Sequence, residues 1–352
     1  MMIDNKPFKI LSIDGGGIRG VLPARFLCEM EDELVRSGIS DPRLCDYFDL
    51  ICGTSTGGII AIGLALGMKA KDVLNLYKEH GSKIFDKKSK LINSVRLKSR
   101  YNSKYLHDIL QKTYAPYSDN GDTRLGHAKT RLCIPTFNAF SGKINVYKTP
   151  HHPGLNRDYL IPAHDAAIST SSAPFYFAPH SFNYECPITG TKSDITHNID
   201  GGVFANNPTL IGIMEATQSL QIPFGEIKVL SLGTGILKFN ETSSRKRFGP
   251  LYWIRGGVRI MELMLNTQSE HTDNLIKFLN QGLGQSGDNK FIYKRIQHEF
   301  QKGDNFKLDD TNNLKLSQLE THAHNLFKAN GEFILNTFLN ETKREYKPFK
   351  SL

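Results

Sequence analysis

Three short segments of this chain combine residue types able to carry nucleophilic chemistry. The first is Gly53-Thr54-Ser55-Thr56-Gly57. A serine hydroxyl is a weak nucleophile until a base takes its proton. G-x-S-x-G is the pattern of a sharp strand-to-helix turn that presents such a hydroxyl at the edge of a sheet. Gly53 and Gly57 relieve crowding at the turn, and the helix start beneath it favours developing negative charge. The second segment, Asp14-Gly15-Gly16-Gly17-Ile18-Arg19-Gly20, holds three successive glycines whose N–H groups a ligand can approach closely. At a helix N-terminus such donors hold a phosphate, or the oxyanion of an acyl-transfer transition state. The third, Asp200-Gly201-Gly202 with Asn206-Asn207-Pro208 after it, offers a carboxylate at a strand end. Asp200 is a candidate base for Ser55; its local alternative is a turn residue capping the helix that starts near Pro208.

Gly15, Gly17 and Gly20 also satisfy G-x-G-x-x-G, the fingerprint of a dinucleotide-binding Rossmann unit. That alternative predicts an acidic residue closing the second strand. Here the second strand runs instead into Gly53-Thr54-Ser55, and Asp14 has no role in it. By chain order a third triad member would be His271, but a histidine at helical spacing among apolar neighbours reads as a packed side chain. His151-His152 and His322/His324 show no nearby acidic or thiol partner in sequence, so no catalytic metal is expected.

The elements that must hold these loops can be read from hydrophobic periodicity. Phe8 to Ile13 and Phe48 to Cys52 read as buried strands, Val21 to Val35 and Lys69 to Phe85 as amphipathic helices. Gly57 to Leu66 is apolar on every side and reads as an interior helix. Leu132–Phe137, Lys143–Tyr147, Ile195–Ile199 and Glu226–Leu232 read as further strands, with helices over His164–Thr170 and Pro208–Leu220. Such alternation predicts an α/β fold with a mainly parallel sheet covered on both faces. Beyond Arg245 the pattern changes: a long helix over Val258–Leu279, an added strand at Asn289–Ile296, and two helices over Leu314–Leu339 broken near Gly331. The expected layout is a core over residues 8–235 and a mostly helical extension over 236–352, packed as one compact unit.

The 352 residues carry a formal net charge of +9, which favours anionic partners. Between Lys83 and Lys104 stand eight Lys or Arg against one acid, Asp86. This segment reads either as a solvated loop or as a surface that docks on anionic lipid. The start, MMIDNKPFKIL, has no long apolar stretch, so no targeting signal is expected. The longest apolar run, Ile59 to Leu66, is far shorter than the ~20 residues of a membrane span. Five cysteines without a C-x-x-C pair suggest neither a disulfide framework nor a zinc site, and a cytoplasmic setting is expected.

Taken together the motifs resemble those of patatin-like phospholipases. Asp14–Gly20 matches their D-G-G-G-x-R-G block, Gly53–Gly57 their nucleophile elbow, and Asp200-Gly201 their D-G dipeptide. Ser171-Ser172-Ala173-Pro174 resembles the small-residue-plus-proline block that precedes it. The resemblance spans about Phe8 to Leu232. It implies a three-layer patatin-like fold and hydrolysis of fatty-acyl esters of membrane phospholipids through an acyl-enzyme. It also implies a Ser55–Asp200 dyad, oxyanion stabilisation by Gly15, Gly16 and Gly17, and a loop anchored by Arg19, with no cofactor required for the chemistry.

The size and layout are also similar to patatin-like effectors of bacterial antiphage systems, which a cyclic dinucleotide switches on. That resemblance implies a cyclic-dinucleotide activator, for which the basic, glycine-punctuated segment Phe239–Arg259 is a candidate. The implied setting is cytoplasmic and peripheral to the inner face of the membrane when active, with segment 83–104 as the contact. No nucleic-acid polymer is expected as a partner, and a homo-oligomer is left open.

Overall fold

The computed structural model describes residues 6–86, 99–237, 249–285, 290–301, 304 and 306–352. Its centre is an eight-stranded sheet whose main path runs β5-β6-β3-β2-β1-β7-β9. Strands β1 (Phe8–Ile13), β2 (Leu50–Gly53), β3 (Arg131–Asn138), β7 (Ile227–Leu232) and β9 (Ile292–Ile296) are mutually parallel. β4 (Lys143–Lys148) and β6 (Lys192–Asp200) run antiparallel to β3, and β5 (His180–Glu185) antiparallel to β6. Every residue of β1 is buried. Leu11 and Ile13 join one core and Phe8 and Ile10 the other, which is why the strand reads as an unbroken apolar run rather than an alternation.

One face of the sheet is covered by α1 (Val21–Arg36), α2 (Thr56–Leu66), α3 (Ala70–Ile84), α4 (Lys104–Tyr114) and α5 (Ala163–Ser171). The other is covered by α7 (Thr209–Met214), which follows the single turn α6 (Gly202–Ala205), and by α8 (Pro250–Gln285). All eleven residues of α2 are buried, as an all-apolar helix requires. A last helix, α9 (Asn313–Ile334), packs on α1, where Phe26 meets Phe327 edge-on with ring centroids 5.4 Å apart.

The residues beyond 235 do more than add helices. β9 extends the central sheet beside β7, and β8 (Ile236–Leu237) pairs with β10 (Glu299–Phe300). One expectation is corrected, and one strand was not expected at all. α9 continues through Gly331 instead of breaking there, because that glycine is buried where a Cβ would press on the Phe327 ring. β5 has no apolar run, only Phe182 and Tyr184 alternating with polar residues, and it forms where β6 offers it a partner edge.

Candidate active site

Ser55 stands between β2 and α2 with φ 56° and ψ −124°, a conformation that non-glycine residues seldom adopt. The turn is held on three sides. A Cβ on Gly57 would come within 2.2 Å of the Ile13 carbonyl, so the start of α2 lies directly on the end of β1, and one on Gly53 would meet the Gly57 carbonyl at 2.1 Å. The Ser55 N–H donates to Thr170 Oγ1 at 3.1 Å, and Thr54 Oγ1 donates to the Ala205 carbonyl at 2.6 Å. The elbow is thereby tied to α5 and to the segment after Asp200.

Asp200 reaches Ser55 by a route other than the parallel strand ends the sequence suggested. β4 occupies one edge of β3, pairing Cys133 with Lys148 and Thr136 with Asn145. β2 and β6 therefore share the opposite edge, with Cys52 beside Cys133 and Asp200 beside Thr136. Since β6 runs antiparallel to β2, the two strands meet head-on with their carboxyl ends facing. The Asp200 amide donates to the Ser172 carbonyl at 3.0 Å, and its Oδ1 accepts from the Gly202 N–H at 2.7 Å. Burial pushes the Asp200 carboxyl up to about 7, against the opposing effect of hydrogen bonds from the Ser55 hydroxyl and the Gly202 N–H.

The glycine-rich loop lies against this pair. A Cβ on Gly15 would come within 2.4 Å of Asn206 Oδ1 and 3.1 Å of the Ser55 Cβ, so the glycine loop packs closely on the serine. The Gly15 N–H, however, donates to the Asn206 carbonyl at 3.0 Å and is not available to an oxyanion. Among the described residues the N–H groups of Gly16 and Gly17 have no hydrogen-bond partner, and both residues line the cavity with Ser55.

Arg19 does not hold the loop as the sequence implied. It is buried, its Nε is unpartnered among the described residues, and its pKa is lowered by desolvation, with Glu262 opposing. The loop's anchor is Arg295, on β9. Its guanidinium grips the Asp14 carboxylate with both terminal nitrogens, Nη1 to Oδ1 at 2.8 Å and Nη2 to Oδ2 at 2.5 Å. Nη1 also donates to Ser231 Oγ at 2.8 Å, and Ser269 Oγ donates to Asp14 Oδ2 at 2.6 Å. No local motif marked Arg295; only the unexplained acid before the glycines pointed to a missing partner.

Ser55 and Asp200 lie in the wall of one and the same cavity. Ile59, Leu76, Phe85, Phe177, Met261 and Leu308 make the rest of it largely apolar. Among the described residues no histidine lines it. His271 is exposed on α8 rather than packed. His151, thought to lack an acidic neighbour, has its Nε2 2.9 Å from Glu215 Oε1. His322 stacks on His298, and His324 Nδ1 lies 2.9 Å from Glu29 Oε1. Of the basic segment, residues 87–98 lie outside the described residues. Arg100 is engaged with Asp309 at 3.6 Å and with the Tyr176 ring, so it is no part of a solvated basic face. Residues 239–248 of the proposed ligand segment also lie outside the described residues, and the remainder begins α8.

Among the described residues no helix is long and apolar enough to cross a membrane. The family model for patatin-like phospholipases matches residues 11–213, which include all three loops. A cGAMP-activated phospholipase from Escherichia coli (strain TW11681) is 30% identical over 361 residues, covering 99% of this chain and 96% of that protein. A second, from Vibrio cholerae serotype O1, is 37% identical over 236 residues, covering 64% of each chain. Patatin-like protein 2 of Arabidopsis thaliana is 33% identical over 333 residues, covering 85% of this chain and 78% of that protein. The dinucleotide-fold alternative finds no support here: β2 ends in Gly53 rather than an acid, and the glycine loop packs on Ser55. The chain belongs to the patatin-like phospholipase family.

Proposed function

We propose that the protein hydrolyses fatty-acyl esters of membrane phospholipids with Ser55 as nucleophile and Asp200 as its base. The observation that carries this reading is a buried carboxylate with a pKa of about 7 that lines the same apolar cavity as the elbow serine. A base poised near neutral pH is what proton transfer from a hydroxyl needs. Asp200 takes the Ser55 proton as Oγ bonds to the ester carbon, and the Gly16 and Gly17 N–H groups receive the oxyanion. Collapse breaks the ester C–O bond, and the leaving alkoxide takes the proton from Asp200. Water then attacks the acyl-enzyme, giving its proton to Asp200. The fatty acid leaves, and Ser55 Oγ is reprotonated from the same carboxyl. The apolar cavity suits the acyl chain, whose burial contributes about 0.8 kcal/mol per methylene.

The two bacterial relatives are named as cGAMP-activated. We extend a cyclic-dinucleotide activator to this chain, and peripheral membrane contact to Lys87, Lys88, Arg96 and Lys98. The test is fatty-acid release from anionic phospholipid vesicles, read by mass spectrometry with and without cGAMP. Release should rise with cGAMP and vanish in Ser55→Ala. Neutralising the four basic residues should lower release from vesicles but not cleavage of a soluble ester. Undiminished release by Ser55→Ala would refute the catalytic assignment, an absent cGAMP response only the regulatory one. Equal loss on vesicles and ester would refute the docking role.

A further inference from the structure

Away from the cavity, three histidines converge on one carboxylate. Asp165, in the first turn of α5, is 5% exposed. His164 Nε2 lies 3.4 Å from its Oδ2, while its Oδ1 is 3.8 Å from His107 Nε2 on α4 and 2.8 Å from His180 Nε2 on β5. The His107 and His164 rings meet edge-on, with centroids 4.9 Å apart. A buried carboxylate calls for a balancing cation. Among the described residues Asp165 has no lysine or arginine within ion-pair distance, only imidazoles.

The remaining buried cluster with ligand-type atoms behaves differently. Cys133, His151 and Glu215 also converge, but Lys148 Nζ sits 2.5 Å from Glu215 Oε2 and His151 Nε2 2.9 Å from Oε1. That carboxylate has a lysine beside it; Asp165, among the described residues, has only imidazoles.

We propose that His107, His164 and Asp165 bind one divalent transition-metal ion, of which zinc fits the donor set, and that the ion fastens α5 to α4. One donor atom from each lies within 4.8 Å of the others. Zinc–nitrogen and zinc–oxygen bonds of about 2.1 Å set tetrahedral ligands about 3.4 Å apart, so closure needs only small side-chain shifts. Imidazole nitrogen with one carboxylate oxygen is a set that zinc accepts. His180 steadies the carboxylate from one side. Asp108 Oδ1, 3.5 Å from His107 Nδ1, faces the ring nitrogen that a ligating histidine normally directs at an outer partner. The His107 side chain is 34% exposed, which gives the ion a way in from solvent.

The site bears on the active centre through α5. His164 and Asp165 begin that helix. Near its other end Thr170 Oγ1 accepts the Ser55 N–H, and Ser171 lines the cavity. A metal at the first turn fixes the element that supports the elbow from behind.

The test uses the full chain, stripped with chelator and titrated with ZnCl2. Zinc content after gel filtration and the thermal midpoint are the two readouts. Wild type should retain one equivalent and gain thermal stability. His164→Ala and the more exposed His107→Gln should each weaken binding ten-fold or more and lose the zinc-dependent rise in midpoint. Glu215→Gln should leave zinc retention at one equivalent. Cobalt substituted in wild type should give the visible absorption of a four-coordinate site. Failure of wild type to retain an equivalent, or equal retention by His107→Gln and His164→Ala, would overturn the proposal.

Discussion

At the scale of single residues the site stores its chemistry as an uncomfortable charge. The Asp200 carboxyl stands at about 7 instead of the ordinary 3.8 because burial disfavours its ionised form. The unfolded chain releases that proton first. Between pH 3.8 and about 7 the folded state therefore binds more protons, and stability falls as pH rises across that window. Above pH 7 the cost reaches about 4 kcal/mol. Asp200→Asn removes the charge and keeps an acceptor for the Gly202 N–H. Its thermal midpoint should exceed that of wild type at pH 8, with the difference shrinking towards pH 5. Identical midpoints at pH 8 would contradict the buried-charge account. Ser55 carries a smaller burden of the same kind, a positive φ that costs of the order of 1–3 kcal/mol, offset by the contacts of Gly53, Gly57 and Thr170 around it.

At the scale of elements the sheet decides which side chains meet. Asp14 directly follows β1, Ser231 lies in β7 and Arg295 in β9, so three adjacent parallel strands bring acid, hydroxyl and guanidinium together at one edge. Removing one partner of a buried ion pair costs about 3–5 kcal/mol because the other charge is left unpaired. Arg295→Met should lower the denaturant midpoint and reduce hydrolysis, since the glycine loop loses its tether. Adding Asp14→Asn should recover part of the stability. A wild-type midpoint in Arg295→Met would show that the pair does not hold the loop. Ser55 and Asp200 could be nominated from the sequence because each sits in a local pattern, glycine-flanked and at a strand end. Arg295 stands 281 residues from Asp14 and belongs to no pattern, so only the added strand β9 brings it into view. The hydrogen bond that occupies the Gly15 N–H was hidden for the same reason: its acceptor, the Asn206 carbonyl, is remote in the sequence and only the fold brings it to the loop.

At the scale of the whole molecule, two cores enclose the sheet and the cavity opens at the carboxyl ends of its parallel strands. Most strands and helices up to Leu232 were readable because each is strongly apolar on one or both faces, but α4, which follows the basic stretch, was not among them. β5 and the continuity of α9 were not, since one depends on a partner edge and the other on a glycine buried against Phe327. The central claim remains that Ser55 is activated by Asp200 alone. The direct measurement is the second-order rate of fluorophosphonate labelling at Ser55 across pH 5 to 9, in wild type and Asp200→Asn. Wild-type labelling should rise about ten-fold per pH unit below pH 7 and level off above it, while Asp200→Asn should label at least a hundred-fold more slowly with no such rise. Labelling of Asp200→Asn at the wild-type rate, with the same pH profile, would contradict the account.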